Sequence, residues 1–360
     1  MNNIFLIIGL LLVSIFGLLS IKKKEGNVYR YIQTGIFTLF LFLSLMSLIL
    51  YSYPAKEEAL MNGEMINTKE IIPGAQHDNF NFVTVKSGFV NNLFDRWFIQ
   101  SMFWKEPTFY SAQNTTLEIR TSDEEKEVSK SFLDEGMDKV YLGVLNSLDE
   151  QLKYEKKLVV TSVFSSNKFK AADLIEKGDE ILLVDGVAFT SREKLDQYLK
   201  ESDGTEVKLV LERKEKVLEI NLKRNRNYVG IHSLGFWPRE KFKYDFPEQL
   251  LTIKNSKLDG GNSAGLLIGL QLYYEAKDKQ IDKNLVVAGT GGLEEDGTVS
   301  PIGGVSYKVK ACYDAGADIF FVPELNAAEA LETQKKIGAN SMKIISVKNL
   351  NEAIKYLDSL

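Results

Sequence analysis

The chain has 360 residues, 44% hydrophobic and 26% charged, with a formal net charge of −5. That balance excludes a largely disordered chain, and the acidic excess speaks against a nucleic-acid binder with its basic stripe. One cysteine (Cys312) and two histidines (His77, His232) exclude a disulfide framework and leave no credible metal site.

Asn3 to Ile21 and Tyr31 to Tyr53 are two uncharged, apolar runs. Each approaches the roughly 20 residues that cross about 30 Å of hydrocarbon. They predict two transmembrane helices, 3–21 and 31–53, in a membrane segment covering residues 1–53. Lys22, Lys23, Lys24 and Arg30 lie between them with only Glu25 opposing. By the positive-inside rule this loop is cytoplasmic, which puts the N-terminus and everything after Tyr53 outside the cytoplasm. A cleaved signal peptide fits the first run poorly, because Met1, Asn2 and Asn3 carry no basic side chain.

Residues 54–150 read as a linker (54–75) followed by strand and helix segments that pack on the C-terminal domain. Phe80–Lys86 is a strand candidate. Leu93 to Trp104 is aromatic-rich and helical in character, suited to packing on a domain or a membrane surface. Thr121 to Leu148 predicts a long helix with an acidic first turn.

Residues 151–227 form a compact pattern of strand, short helix, strand, helix and hairpin, with an Asp185-Gly186 turn signal. The stretch AADLIEKGDEILLVDG is similar to the core of bacterial PDZ domains. That resemblance implies that Leu158–Phe164 is a free strand edge on which an extended peptide pairs. A small α/β module without a ligand is the other reading.

Residues 228–360 alternate strand and helix runs, so the whole chain reads as a multidomain α+β protein. Within this block, Gly260-Gly261-Asn262-Ser263-Ala264-Gly265 precedes an apolar helix. Glycines admit a close ligand, and a helix start offers unpaired N–H groups. Ser263 is therefore either a nucleophile beside an oxyanion site or the N-cap of a buried helix. The match to G-x-S-x-G does not make an α/β-hydrolase, because no histidine follows Ser263. His232, in a strand-like stretch upstream, is a poor candidate for a base. A lysine base remains. Val305, Val309 and Cys312 make an apolar stripe that Lys308 borders, whereas Lys310 points the other way with Ser306 and Tyr313. A free lysine is neutral in only about one molecule in a thousand at pH 7.5, so a lysine base needs burial to depress its pKa.

GGNSAG, then LVVAGTGGLEEDGTVSPIGGV, then a lysine four residues after Gly304 resemble the proteolytic domain of Lon-type Ser–Lys proteases. With the membrane helices and the PDZ-like unit ahead, the chain resembles membrane-anchored PDZ–Lon-like proteases of Gram-positive bacteria. The resemblance implies a ribosomal protein S5 domain 2-like α/β fold over 228–360. It assigns Ser263 as nucleophile, Lys308 as base and Thr290 as the support of Lys308, with Gly260, Gly261 and Asn262 around the nucleophile. Asn262 stands where the family usually has proline, a departure that favours the rival reading of a non-catalytic PDZ scaffold with a degenerate protease domain; a peptide sensor is a third reading, supported only by the membrane anchor. A second membrane helix is another departure. The chain holds no G-x-x-x-x-G-K-[ST], so an ATP-independent serine endopeptidase acting on extracytoplasmic peptides or exposed protein segments is expected, with no cofactor. The rings formed by related Lon domains imply a homo-oligomer by analogy.

Overall fold

The structure, a computed structural model, describes residues 3–20, 27–102, 107–111, 121–150, 153–165, 169–254 and 262–360. The chain divides into two compact units. The first holds residues 1–62 and 86–114, and the second holds 63–85 and 115–360.

In the first unit, α1 (Asn3–Ser20) and α2 (Asn27–Ser52) run side by side. The hydroxyls of Ser14 and Ser44 donate to Leu10 O and Phe40 O within their own helices, which satisfies them in apolar surroundings. Tyr31–Ser52 is the one segment among the described residues long and apolar enough to cross a membrane. Only 6% of it is buried, unlike the core helix of a soluble fold. The apolar run of α1, Ile7–Leu19, is shorter, so the expected pair of spanning helices is met at one helix.

The linker expected over residues 54–75 is instead ordered strand and turn. β1 (Pro54–Asn67) pairs antiparallel with β3 (Thr108–Ser111) through Glu57–Leu60. α3 (Leu93–Met102) follows β2 (Phe80–Asn92) directly. Asn92 Oδ1 accepts from Asp95 N at 2.9 Å, an N-terminal cap that starts the helix.

In the second unit, α4 (Ser122–Ser147) opens with a capping box between Thr121 and Glu124. Val128 and Phe132, in its first half, pack into the core of a five-stranded sheet. Its second half, with Met137, Val140, Val144 and Leu145, belongs to another core. One helix thus serves two hydrophobic cores.

The five-stranded sheet consists of β4 (Glu155–Val163), β5 (Glu180–Val184), β6 (Glu206–Arg213), β7 (Lys216–Lys223) and β8 (Phe236–Lys243). Its order is β7-β6-β5-β4-β8, with α5 (Arg192–Glu201) beside it. Asp185 and Gly186 both have positive φ, as the Asp-Gly turn after β5 requires. Asp179, in the Gly-Asp core of the motif, is buried and holds Arg213 by two bonds of 2.7 Å. The expected free edge at Leu158–Phe164 is not there. β4 lies between β5 and β8, and β8 is drawn from residues well past 227. β8 ends the sheet, but Pro238 has no N–H to offer and Glu240 N donates to Glu135 Oε2 on α4 at 3.1 Å.

The remaining sheet runs β13-β12-β9-β2-β1, with β9 (Val287–Gly289), β12 (Ile319–Pro323) and β13 (Lys343–Val347). β2, β9, β12 and β13 pair in parallel. Alternation along β12 divides the two faces. Ile319 and Phe321 join the core of α4, α6 (Gly265–Ala276) and α9 (Leu350–Asp358). Phe320 and Val322 join that of α7 (Val305–Asp314) and α8 (Ala327–Ile337). Buried on both faces, β9 and β12 read as continuous apolar runs. β10 (Gly292–Leu293) and β11 (Val299–Ser300) form a short antiparallel hairpin after β9.

Candidate active site

Three chain segments meet just past the C-terminal end of β9. Ser263 precedes α6, Thr290 follows β9, and Lys308 lies one turn into α7. α6 and α7 pack on opposite faces of the sheet, and the site forms where both helices begin.

Ser263 Oγ lies 2.8 Å from Lys308 Nζ, and Nζ lies 3.0 Å from Thr290 Oγ1. The Thr290 hydroxyl donates to Ser263 O at 3.1 Å, and Gly291 N donates to the same carbonyl at 2.8 Å. A hydroxyl has one proton. Because Thr290 gives its proton to the carbonyl, it can only accept from Lys308. An amine N–H on Thr290 leaves the nitrogen lone pair of a neutral Lys308 free for the Ser263 hydroxyl. Gly291 has φ +152, and a β-carbon there would meet Val299 Cγ1 at 2.7 Å, so only glycine permits this clamp on the serine carbonyl.

Lys308 is buried, 4% exposed, and Thr290 is fully buried. Burial draws the Lys308 amine down to about 8 from its ordinary 10.5, with Cys312 one turn on acting weakly the other way. About a quarter of the molecules are then neutral at pH 7.5. Cys312 is buried, and desolvation pushes its thiol up to about 12, which makes it a small core residue. Lys310 instead pairs with Asp314 at 3.2 Å on the outer face of α7.

Ser263 is not the N-cap of α6. Ala264 occupies that position without a side-chain cap bond, and the Ser263 hydroxyl faces Lys308. Gly265 N donates to Asn262 O and Leu266 N to Gly291 O, at 2.9 and 3.0 Å. Asn262 packs between Gly136 of α4 and Gly292 of β10. The other two expected site residues, Gly260 and Gly261, lie outside the described residues. His232 lies beside Trp237, ring centroids 5.5 Å apart, in the other core of the unit. Among the described residues no group of His, Cys, Asp or Glu could hold a metal ion.

Sequence reasoning missed the support around the β10–β11 hairpin. Glu294 and Glu295, in its turn, are held from α4 and β4. Lys139 of α4 reaches Glu294 at 2.9 Å, Glu240 at 3.3 Å and Glu135 at 3.4 Å. Lys156 of β4 reaches Glu295 at 2.6 Å and Glu240 at 2.8 Å. Burial alone would lower the Lys139 amine, but the three carboxylates outweigh it and hold it above its ordinary value. The available signal was a Glu-x-x-x-Lys pair, Glu135 and Lys139, among the core-facing residues of a long helix.

Residues 123–223 match the PDZ domain family, and residues 255–358 match the Lon protease (S16) C-terminal proteolytic domain. An archaeal Lon protease of Thermoplasma acidophilum is 32% identical over 95 residues, covering 26% of this chain and 14% of that protein. Lon protease 1 of Thermus thermophilus is 28% identical over 130 residues, covering 36% and 16%. The chain thus matches only a small part of the length of these curated relatives. The solved PDZ domain of an SdrC-like protein from Listeria monocytogenes is 24% identical, covering 22% of this chain and 85% of that one, with a TM-score of 0.20. The chain thus carries a PDZ domain and, C-terminal to it, a Lon-type proteolytic domain, a combination that supports a PDZ–Lon-like protease family.

Proposed function

We propose that the chain is a membrane-anchored serine endopeptidase that cleaves peptides or exposed protein segments with a Ser263–Lys308 dyad. The observation that carries this reading is the 2.8 Å approach of Ser263 Oγ to an amine whose burial holds it near 8. Neutral Lys308 takes the Ser263 proton as Oγ attacks the scissile carbonyl, then returns it to the leaving amine. Water hydrolyses the acyl-enzyme by the same proton path in reverse. Thr290 keeps Lys308 aimed throughout. The Gly265 and Leu266 N–H groups are already spent on Asn262 O and Gly291 O, so the N–H groups of Ser263 and Ala264 are the donors assigned to the oxyanion.

The chain carries no phosphate-binding loop motif, so hydrolysis here needs no nucleotide of its own. α2 is the anchor. α1 is a second crossing, and the basic residues between the helices place that loop in the cytoplasm and the catalytic domain outside it. The PDZ domain gates or presents substrate.

The test is cleavage of an unstructured fluorogenic peptide by the detergent-solubilised chain, without ATP. Ser263→Ala and Lys308→Met each abolish turnover. Retained turnover in either variant removes the mechanism. A reporter fused after residue 60 is active only outside the cytoplasm if the orientation is right.

A further inference from the structure

α3 stands at the mouth of α2. Leu93 N donates to Tyr53 O at 3.0 Å, so the first residue of α3 is tied to the chain leaving α2, and the two helices pack together. At 3.6 residues per turn, Leu93, Phe94, Trp97, Phe98, Ser101 and Met102 occupy roughly half of the α3 surface. Only Phe94 in the middle of that face is buried. Trp97 is 55% exposed and Met102 63%, and Leu93 and Phe98 are exposed as well. Phe94, Trp97 and Phe98 form one ring cluster, with centroids 5.8 and 6.3 Å from Phe94.

The opposite side of the helix is fastened. Arg96 Nη1 donates to Glu57 Oε1 at 2.7 Å, and its guanidinium sits 4.7 Å from the Phe109 ring centroid. α3 therefore cannot roll to hide its apolar half without breaking an ion pair and a cation–π contact. Where α3 packs beside α2, the end of α2 also exposes an apolar side chain, Ile49, and Tyr53 just past it is exposed as well. Tryptophan and tyrosine favour the headgroup level, and a short helix with one apolar and one polar face lies in that plane.

We infer that the exposed apolar face of α3 is seated in the headgroup–acyl boundary of the bilayer that α2 crosses. The occupant of this surface is lipid. The inference rests on the membrane reading given above and adds a second point of attachment. The spanning helices α1 and α2 hold the chain at one place in the bilayer, whereas an interfacial helix fixed to β1 and β3 also holds it along the surface.

The experiment uses the full chain in vesicles of phosphatidylcholine and phosphatidylglycerol. Cys312 is fully buried, so a cysteine introduced at an exposed position takes an environment-sensitive fluorophore. Ser101→Cys labels the middle of the apolar face and Gln100→Cys, about 100° round the helix between Arg96 and Leu93, its border with the polar face. The expected result is blue-shifted emission at 101, quenched several-fold more by nitroxide near the lipid carbonyls than at the chain ends, with weaker lipid quenching and readier aqueous quenching at 100. Adding Trp97→Glu and Phe98→Glu to the 101-labelled chain removes the lipid quenching. A label at 101 reached by aqueous quencher and not by lipid overturns the inference. So does a label hidden from both, which would mean that protein, such as a second copy, covers the face. Alkaline extraction separates the two levels. If the chain stays in the pellet while the 101 label reports water, this inference alone fails; if the chain is extracted, the membrane reading fails and takes the inference with it.

Discussion

Gly136 on α4 faces Asn262 so closely that a β-carbon at position 136 would lie 3.0 Å from the Asn262 β-carbon. α4 therefore abuts the residue immediately before the candidate nucleophile. Alanine in place of a mid-helix glycine adds about 1 kcal/mol of helix propensity, so Gly136→Ala is not expected to unfold the chain. It is expected to push Asn262 and lower kcat/KM about ten- to hundredfold through misplacement of Ser263. Peptide turnover beside a thermal melt checks this. Unchanged turnover would mean that Asn262 gives way without moving the serine.

The pH profile follows from Lys308. A lysine that acts as base must be neutral, and burial draws the Lys308 amine down to about 8 in the folded chain. kcat/KM is expected to rise about tenfold per pH unit below 8 and to level off above it. A profile flat from pH 6 to 9 would remove Lys308 as the base.

Stability carries the same signature. The unfolded chain holds the Lys308 proton up to about 10.5, the folded chain only up to about 8. Between these values unfolding takes up a proton, so stability rises with pH across that window; below 8 both states are protonated and the folded state bears the full burial cost. That cost is about 3 kcal/mol. Lys308→Met is expected to be more stable than the parent at pH 7 and to lose the rise between pH 8 and 10.5. Urea titrations at several pH values measure both.

Thr290 separates aiming from mere filling. Thr290→Val keeps the shape but removes the acceptor for Lys308 and the donor to Ser263 O. A loss of roughly tenfold or more in kcat is expected, with KM little changed. Thr290→Ser keeps both bonds and is expected to restore most of the rate.

The ionic cluster beneath the β10–β11 hairpin is a stability element. Lys139→Met leaves Glu135 and Glu240, both buried, without their shared cation. A loss of about 3–5 kcal/mol is expected, less if Lys156 and Arg192 compensate. Chemical unfolding followed by Trp237 fluorescence reads it, since that ring packs against Phe132 of α4.

Much of this protein is readable without coordinates. The spanning length of α2, the Thr121–Glu124 cap of α4 and the Asp185-Gly186 turn are local, set by residues within a few positions of each other. Ser263, Thr290 and Lys308 were picked out because each lies in a glycine-containing motif: Ser263 two residues after Gly261, Thr290 between Gly289 and Gly291, and Lys308 four residues after Gly304. What the chain order could not reveal is which surfaces meet. β8 joins the β4 sheet from beyond its expected boundary, and this closes the edge on which a peptide was expected to pair. Gly136 and Lys139 sit on a helix that looks like any amphipathic helix, yet they brace the serine segment and the hairpin beside it. Residues 54–67 read as a linker because their strand character depends on the partner strands beside them. Helix caps and apolar runs are decided by near neighbours along the chain. Strand partners, buried ion pairs and the depressed lysine are decided by what desolvates and surrounds each group, and only packing of distant segments supplies that.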